Sequence, residues 1–179
     1  MLLFAAFNST PILATTDKVL VTYFTDDGYR QKLYRSPVLT APQGVKKIDT
    51  ATLHRWLHAN KRQLYPINVL PATWVHKQFI NTAAVQHIPH SVWLPNTGYG
   101  VLSPTWQHYF ATALQVLKSK TPDSKLVFYC KVDCWMAWNA AKRAANMGYT
   151  DVYWYADGID EWLQMGHKTV ACEPQIVHH

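Results

Sequence analysis

Three cysteines in 179 residues are too few for a disulfide scaffold and too few for a four-thiolate zinc site. No stretch approaches the roughly 20 apolar residues that a membrane-spanning helix requires. Charged residues are scarce, 16% against 49% hydrophobic, the reverse of what a disordered chain needs. Internal repeats and low-complexity tracts are also missing. What is present is one domain's length of chain, with 8 Trp, 10 Tyr and 6 Phe. Such a chain buries roughly 70% of its unfolded surface and needs no metal or disulfide framework to fold.

The formal charge is +6. Residues 1–120 carry twelve Lys/Arg against four acids, and 121–179 carry five against seven. The basic residues fall in scattered pairs such as Lys46-Lys47 and Lys61-Arg62, without an arginine-rich run or a basic helical stripe. A solvated surface is therefore expected and no nucleic-acid partner, because net charge governs nonspecific association rather than fold. Met1 to Phe7 is apolar and Ala14-Thr-Thr16 is small, the pattern of the end of a secretory leader. No Lys or Arg precedes that run, and it spans only about seven residues. Residues 1–16 read either as a signal-peptide remnant or as an apolar N-terminus.

Between 17 and 47 the chain reads as an extension. Val19–Phe24 and Tyr29–Tyr34 suggest a small antiparallel element around the Asp26-Asp27-Gly28 turn. From 48 to 170 short apolar runs alternate with helical patterns, and 171–179 form a tail. Asp49 to Thr52 can cap a helix carrying Leu53, Trp56 and Leu57. Ile67–Leu70 and Ser91–Leu94 read as strands, with 71–90 loop-like or briefly helical. Ser103-Pro104 opens a helix, Leu126–Tyr129 is the clearest strand, and a helix closes at Gly148. Asp151–Tyr155 is a further strand, and Asp160–Met165 a short helix. Strands alternating with helices imply an α/β domain with a central parallel sheet covered on both faces.

The informative segment is Phe128-Tyr-Cys-Lys-Val-Asp-Cys-Trp-Met-Ala-Trp-Asn139. Cys130 stands where a buried strand ends and a helix soon begins, the place where ligands bind in open α/β sheets. Peptide N–H groups and a helix N-terminus there favour negative charge and lower a thiol's pKa. An exposed thiol at a site is the expectation, with a buried, inert one as the alternative.

The chain resembles a rhodanese-like domain over about residues 48–168. The resemblance rests on Ile67-Asn-Val-Leu70, His87-Ile-Pro-His-Ser-Val-Trp-Leu-Pro95, Phe128-Tyr-Cys130, Ala140-Ala141, Gly148-Tyr149, Val152–Tyr155, Asp157-Gly158, Trp162 and Gly166. It implies Cys130 as the active-site cysteine. Over nearly the whole mature chain, Cys130 to Arg143, Ser91 to Gly100 and Gly28-Tyr29 look like a narrower bacterial subfamily. Its members are called pyrroloquinoline quinone-dependent catabolism-associated proteins with a Cys-Cys-Trp motif. That resemblance implies export to the periplasm and a periplasmic quinoprotein alcohol dehydrogenase or cytochrome as partner. No bound cofactor is expected.

The loop departs from an ordinary sulfurtransferase. Asp133 occupies a position often held by Gly, and its carboxylate opposes thiolate formation and repels anionic donors such as thiosulfate. Lys131 offsets it only in part; Lys131, Val132, Asp133, Trp135 and Met136 make up the expected binding loop beside Cys130. Met136 stands where a Cys-x5-Arg loop would have its oxyanion-binding Arg, which argues against phosphoryl chemistry. Cys134 lies four residues from Cys130, near enough for a disulfide if the turn bends back. The pair then cycles between dithiol and disulfide, with Cys130 attacking and Cys134 resolving. A permanent staple, or two reduced thiols of which Cys134 only packs, remain open. Trp135 and Trp138 are either an aromatic wall or core residues facing the sheet. His87 and His90 fit a structural turn better than a metal site, and none is expected. The expected chemistry is disulfide exchange or sulfur transfer, and the alternative is a noncatalytic module that binds a cofactor, metal or protein.

Overall fold

A computed structural model describes residues 23–59, 63–80, 82 and 85–176. The leader-like residues 1–16 and the first four residues of the Val19–Phe24 run lie outside the described residues. The elements are β1 (Lys46–Ile48), α1 (Thr50–Ala59), β2 (Leu64–Asn68), β3 (Thr73–Val75), β4 (Gln78–Ile80) and β5 (Val92–Trp93). They continue with α2 (Pro104–Lys120), β6 (Lys125–Tyr129), α3 (Trp135–Asn146), β7 (Val152–Tyr155) and α4 (Gly158–Gln164).

Five strands form one sheet in the order β1-β7-β6-β2-β5, every pair parallel. Alternation along the strands sorts the core into two layers. Leu126 and Phe128 of β6, with Val152 and Trp154 of β7, face α2 and α3. Val127, Tyr129, Tyr153 and Tyr155 face Leu53 and Leu57 of α1 and Ile159 and Trp162 of α4. Strands buried on both faces must be apolar throughout, which explains the runs LVFY and VYWY. Ala137, Ala140, Ala141 and Ala144 give α3 a low, flat buried face, so its backbone can approach the sheet. Asp49 Oδ1 accepts from Thr52 N at 2.8 Å to cap α1, and Ser103 Oγ accepts from Trp106 N to cap α2.

Two local expectations change. Residues 71–80 hold no helix; β3 and β4 form a separate hairpin. Its two-residue turn, His76-Lys77, has φ of 49° and 61°, the backbone a tight hairpin demands, without the usual Gly or Asn as a signal. The N-terminal antiparallel element reduces, among the described residues, to the single bridge Phe24–Arg30. Residues 23–45 otherwise run as an irregular arm across the start of α3.

Candidate functional site

Cys130 follows the last residue of β6, and Cys134 is the N-cap of α3. The turn between them reverses at Asp133, whose φ of 54° is a left-handed conformation that Asp tolerates better than most residues. That reversal brings the Cα atoms to 6.2 Å, and the two sulfurs form a disulfide. Cys134 stands outside the regular helix, so the distortion an i, i+4 pair within a helix would need is not required.

The expected exposure of Cys130 is corrected. Cys130 is 1% exposed and Cys134 4%. Both cysteines belong to the core cluster that includes Ile67, Phe128 and Ala137, and the N-terminal arm adds to their cover by pairing with the loop as a short antiparallel bridge between Arg35 and Cys134. Ser36 N donates to Asp133 O at 2.9 Å, and Trp135 N donates to Tyr34 O at 2.8 Å. Lys131, Val132 and Asp133 remain at the exposed tip, Trp135 is half-buried, and Met136 lies in the core beneath Gly98. A Cβ at Gly98 would stand 2.5 Å from Met136 Cβ, so only glycine lets the 96–100 segment pass.

From the other side α4 closes on the loop. Ile159 N donates to Cys130 O at 2.9 Å. Gly158, at φ 65°, permits this approach, since a Cβ there would stand 2.6 Å from the Lys131 carbonyl carbon. Asp160 Oδ2 accepts from Val132 N at 2.7 Å and lies 4.0 Å from the Arg35 guanidinium. The Val132 peptide N–H, a donor that an anionic substrate would otherwise use, is thus already paired with a carboxylate. The sequence reading missed Asp160, which lies 28 residues from its partner.

The remaining motif residues of α3 grip the arm. Trp135 Nε1 donates to Ser36 Oγ at 2.9 Å and Trp138 Nε1 to Thr40 O at 2.9 Å. Both tryptophans are half-buried and pack against the core cluster, as expected of core residues, and their indole N–H groups bond the arm as well. Arg30 lies over the rings of Tyr23, Phe24 and Trp135 at 4.7–5.2 Å. Asn139, fully buried, accepts from Arg30 N at 2.9 Å and donates to Arg30 O and Gly98 O at 2.8 and 2.9 Å. Lys142 Nζ reaches Asp27 O and Gly28 O, and Arg143 donates to Thr97 O and Tyr99 O.

Away from the loop, His87 is fully buried, its ring tilted against Trp93, with Nδ1 3.0 Å from Asn68 Nδ2. Burial pulls its pKa down to about 4, Glu173 opposing. Cys172 is a free, half-buried thiol that donates to Ser91 O, and burial pushes its pKa up. Tyr129 OH, also raised by burial, lies 2.7 Å from Ser91 Oγ and accepts from Ile88 N. Among the described residues no group of three or more His, Cys, Asp or Glu could hold a metal ion. No helix among them is long and apolar enough to cross a membrane.

A parallel sheet covered by helices on both faces, with a cysteine just past the carboxyl end of a central strand bonded to a second cysteine at a helix N-terminus, defines an α/β domain with a cysteine loop at its strand end. The chain belongs to the rhodanese-like domain family, whose pattern it matches over residues 49–165. No curated protein matches it. Among solved structures it is similar to the BH2092 protein of Bacillus halodurans, at 16% identity and TM-score 0.48, covering 70% of this chain and 77% of that one. It is also similar to an uncharacterized protein of Saccharomyces cerevisiae, at 18% identity and TM-score 0.45, covering 68% and 93%. A third is a polysulfide-sulfur transferase homodimer of Wolinella succinogenes, at 15% identity and TM-score 0.46, covering 76% and 85%.

Proposed function

We propose that this protein exchanges disulfides with a partner protein, using Cys130 as the attacking and Cys134 as the resolving sulfur. The observation that carries the reading is the bond between them, and the sequence resemblance that takes Cys130 as the active-site cysteine supports it. Sulfur transfer from a small anionic donor is the weaker choice, because Asp160 holds the Val132 N–H and Asp133 stands exposed at the tip. In the reductive direction Cys130 thiolate attacks a sulfur of the partner's disulfide, forming a mixed disulfide and releasing one partner thiolate. Cys134 thiolate then attacks the Cys130 sulfur, releasing the second partner thiolate and closing the Cys130–Cys134 bond. Two electrons pass to the partner. Run in reverse, the disulfide form oxidises a partner dithiol. Either direction requires the arm around Arg35 and Ser36 to lift, since both sulfurs are buried beneath it.

The compartment in this reading is the periplasm, where such a pair persists oxidised. The system it serves is pyrroloquinoline quinone-dependent alcohol oxidation, with a quinoprotein dehydrogenase or cytochrome as partner. Support comes from the resemblance of Cys130–Arg143 and Ser91–Gly100 to the Cys-Cys-Trp motif proteins. The test is differential alkylation with mass spectrometry on protein taken from its native compartment, together with single cysteine variants. Cys134→Ser should accumulate a mixed disulfide through Cys130, and Cys130→Ser should not. If both variants restore growth of a deletion strain on alcohol, thiol chemistry is irrelevant and the bond is a staple. The burial of both sulfurs favours that second reading, a noncatalytic binding module.

A further inference from the structure

We propose that a second site, remote from the disulfide, binds a neutral planar aromatic molecule of two or three fused rings. A cavity of about 480 Å3 opens between the β3–β4 hairpin, the start of α2 and the C-terminal tail. That size is within the range of small-molecule sites. Its wall is aromatic: Trp74, Phe79, Trp106 and Tyr109 line it. These rings contact one another at centroid separations of 4.5–6.5 Å, three of the five contacts tilted and two edge-to-face. Trp74 nevertheless remains 45% exposed, so part of its surface is left uncovered by the cluster. A flat ring system adds to such a wall by offset or edge contacts that an aliphatic ligand of equal area cannot make.

The charge around the cavity decides the ligand's own charge. Lys77 and Glu173 both line it and are its only charged residues, so the lining carries no net formal charge and favours neither a cation nor an anion. Glu173 is held by Thr82 Oγ1 at 3.1 Å. The tail wall is fixed too, because Gln175 N donates to Trp93 O at 2.9 Å and Tyr109 OH donates to Gln175 O at 2.8 Å. Amides of Gln78 and Gln175 supply neutral hydrogen-bonding partners for polar edge groups. Cys130 and Cys134 do not line the cavity, so this site and the exchange reaction are separable.

The test titrates the full-length protein with three neutral planar fluorophores, naphthol, acridone and riboflavin, reading saturable quenching and confirming by equilibrium dialysis. At least one should bind with one-to-one stoichiometry. Trp74→Ala should weaken that binding about tenfold. Trp106→Phe, which keeps a ring, should hold most of it, and Thr105→Trp, which plugs the cavity, should abolish it. Far-ultraviolet circular dichroism shows that each variant is folded. The proposal is overturned if none of the three binds saturably, or if folded Trp74→Ala and Thr105→Trp bind like the parent. It is equally overturned if sedimentation shows a second copy of the chain occupying the face and Trp74→Ala dissolving that dimer.

Discussion

The disulfide and the aromatic cavity both follow the carboxyl ends of sheet strands, one after β6 and the other after β2 and β5, yet they are built in opposite ways. Around the disulfide the chain answers its own polar groups: Asp160 accepts from Val132 N–H, Tyr34 O accepts from Trp135 N–H, and Cys130 O accepts from Ile159 N–H. None of three cavities of 350, 480 and 720 Å3 is lined by either cysteine. Around the cavity, by contrast, Trp74 keeps 45% of its surface uncovered by the described residues. The difference teaches that sulfur position and small-molecule access are separate properties of this fold. A closed loop suits a macromolecular partner able to displace the arm, while an open aromatic pocket suits a small molecule.

The largest expected effect tests whether the arm truly closes the sulfur side. Asn139→Ala removes three hydrogen bonds to backbone at once, one buried and two part-buried, and each group left unsatisfied in the interior costs about 1–3 kcal/mol. A loss of about 4 kcal/mol is expected from urea unfolding, with faster reduction of the disulfide by dithiothreitol. Trp74→Ala on the cavity side should cost under about 1 kcal/mol, because that ring is already half in water. Equal losses for the two would erase the contrast.

Next in size is a pH effect on the cavity side. His87 has its native pKa near 4, below the 6.5 of the unfolded chain, so between those values the unfolded state binds more protons. Its contribution is complete above pH 6.5 and is lost as pH falls toward 4, up to about 3 kcal/mol. The groups facing the ring are the Asn68 amide, the Trp93 ring and the Glu173 carboxylate, of which only Glu173 opposes the shift. The urea midpoint of His87→Gln should vary less with pH across that window than the parent's, and parallel curves would remove His87 as the cause. Reducing the disulfide at constant pH comes third. Closing so short a loop restricts the unfolded chain by roughly 2 kcal/mol, so the reduced protein's urea midpoint should fall by that equivalent while the His87 slope persists.

The parts that could be read from sequence are those whose cause is local. β6 and β7 announce themselves as unbroken apolar runs, Ser103-Pro104 marks a helix start, and Cys130 follows directly from the end of β6. The rhodanese-like order of segments rests on the same local signals. The hairpin at 73–80 was not legible, because its turn uses His76 and Lys77 in a conformation that usually calls for Gly or Asn. The burial of Cys130 was not legible either. It depends on an arm about 100 residues upstream, held by Asn139 to Arg30 and by Trp135 to Ser36, at separations where no periodicity links partners. Trp135 and Trp138 offered a choice between core packing and an open wall; both pack against the core, and what no local signal showed is that their indole N–H groups also hold that arm.

Asp160 gives the smallest effect and the sharpest one. Its ion pair with Arg35 is exposed on both sides and 4.0 Å long, so the pair alone contributes under about 1 kcal/mol. Asp160→Ala should therefore change the urea midpoint little. Its consequence lies in chemistry. The substitution frees the Val132 N–H and removes a carboxylate from beside the loop, so a thiolate formed at Cys130 in the reduced protein gains a donor and loses a repulsive neighbour. Alkylation of reduced Cys130 by iodoacetamide at neutral pH should rise about threefold, through a larger thiolate fraction. The same substitution at the cavity side's carboxylate, Glu173→Ala, should leave that rate untouched. A rate equally insensitive to both would mean that burial under the arm, rather than the field of the loop, governs the sulfur, and would return the weight of the argument to Asn139.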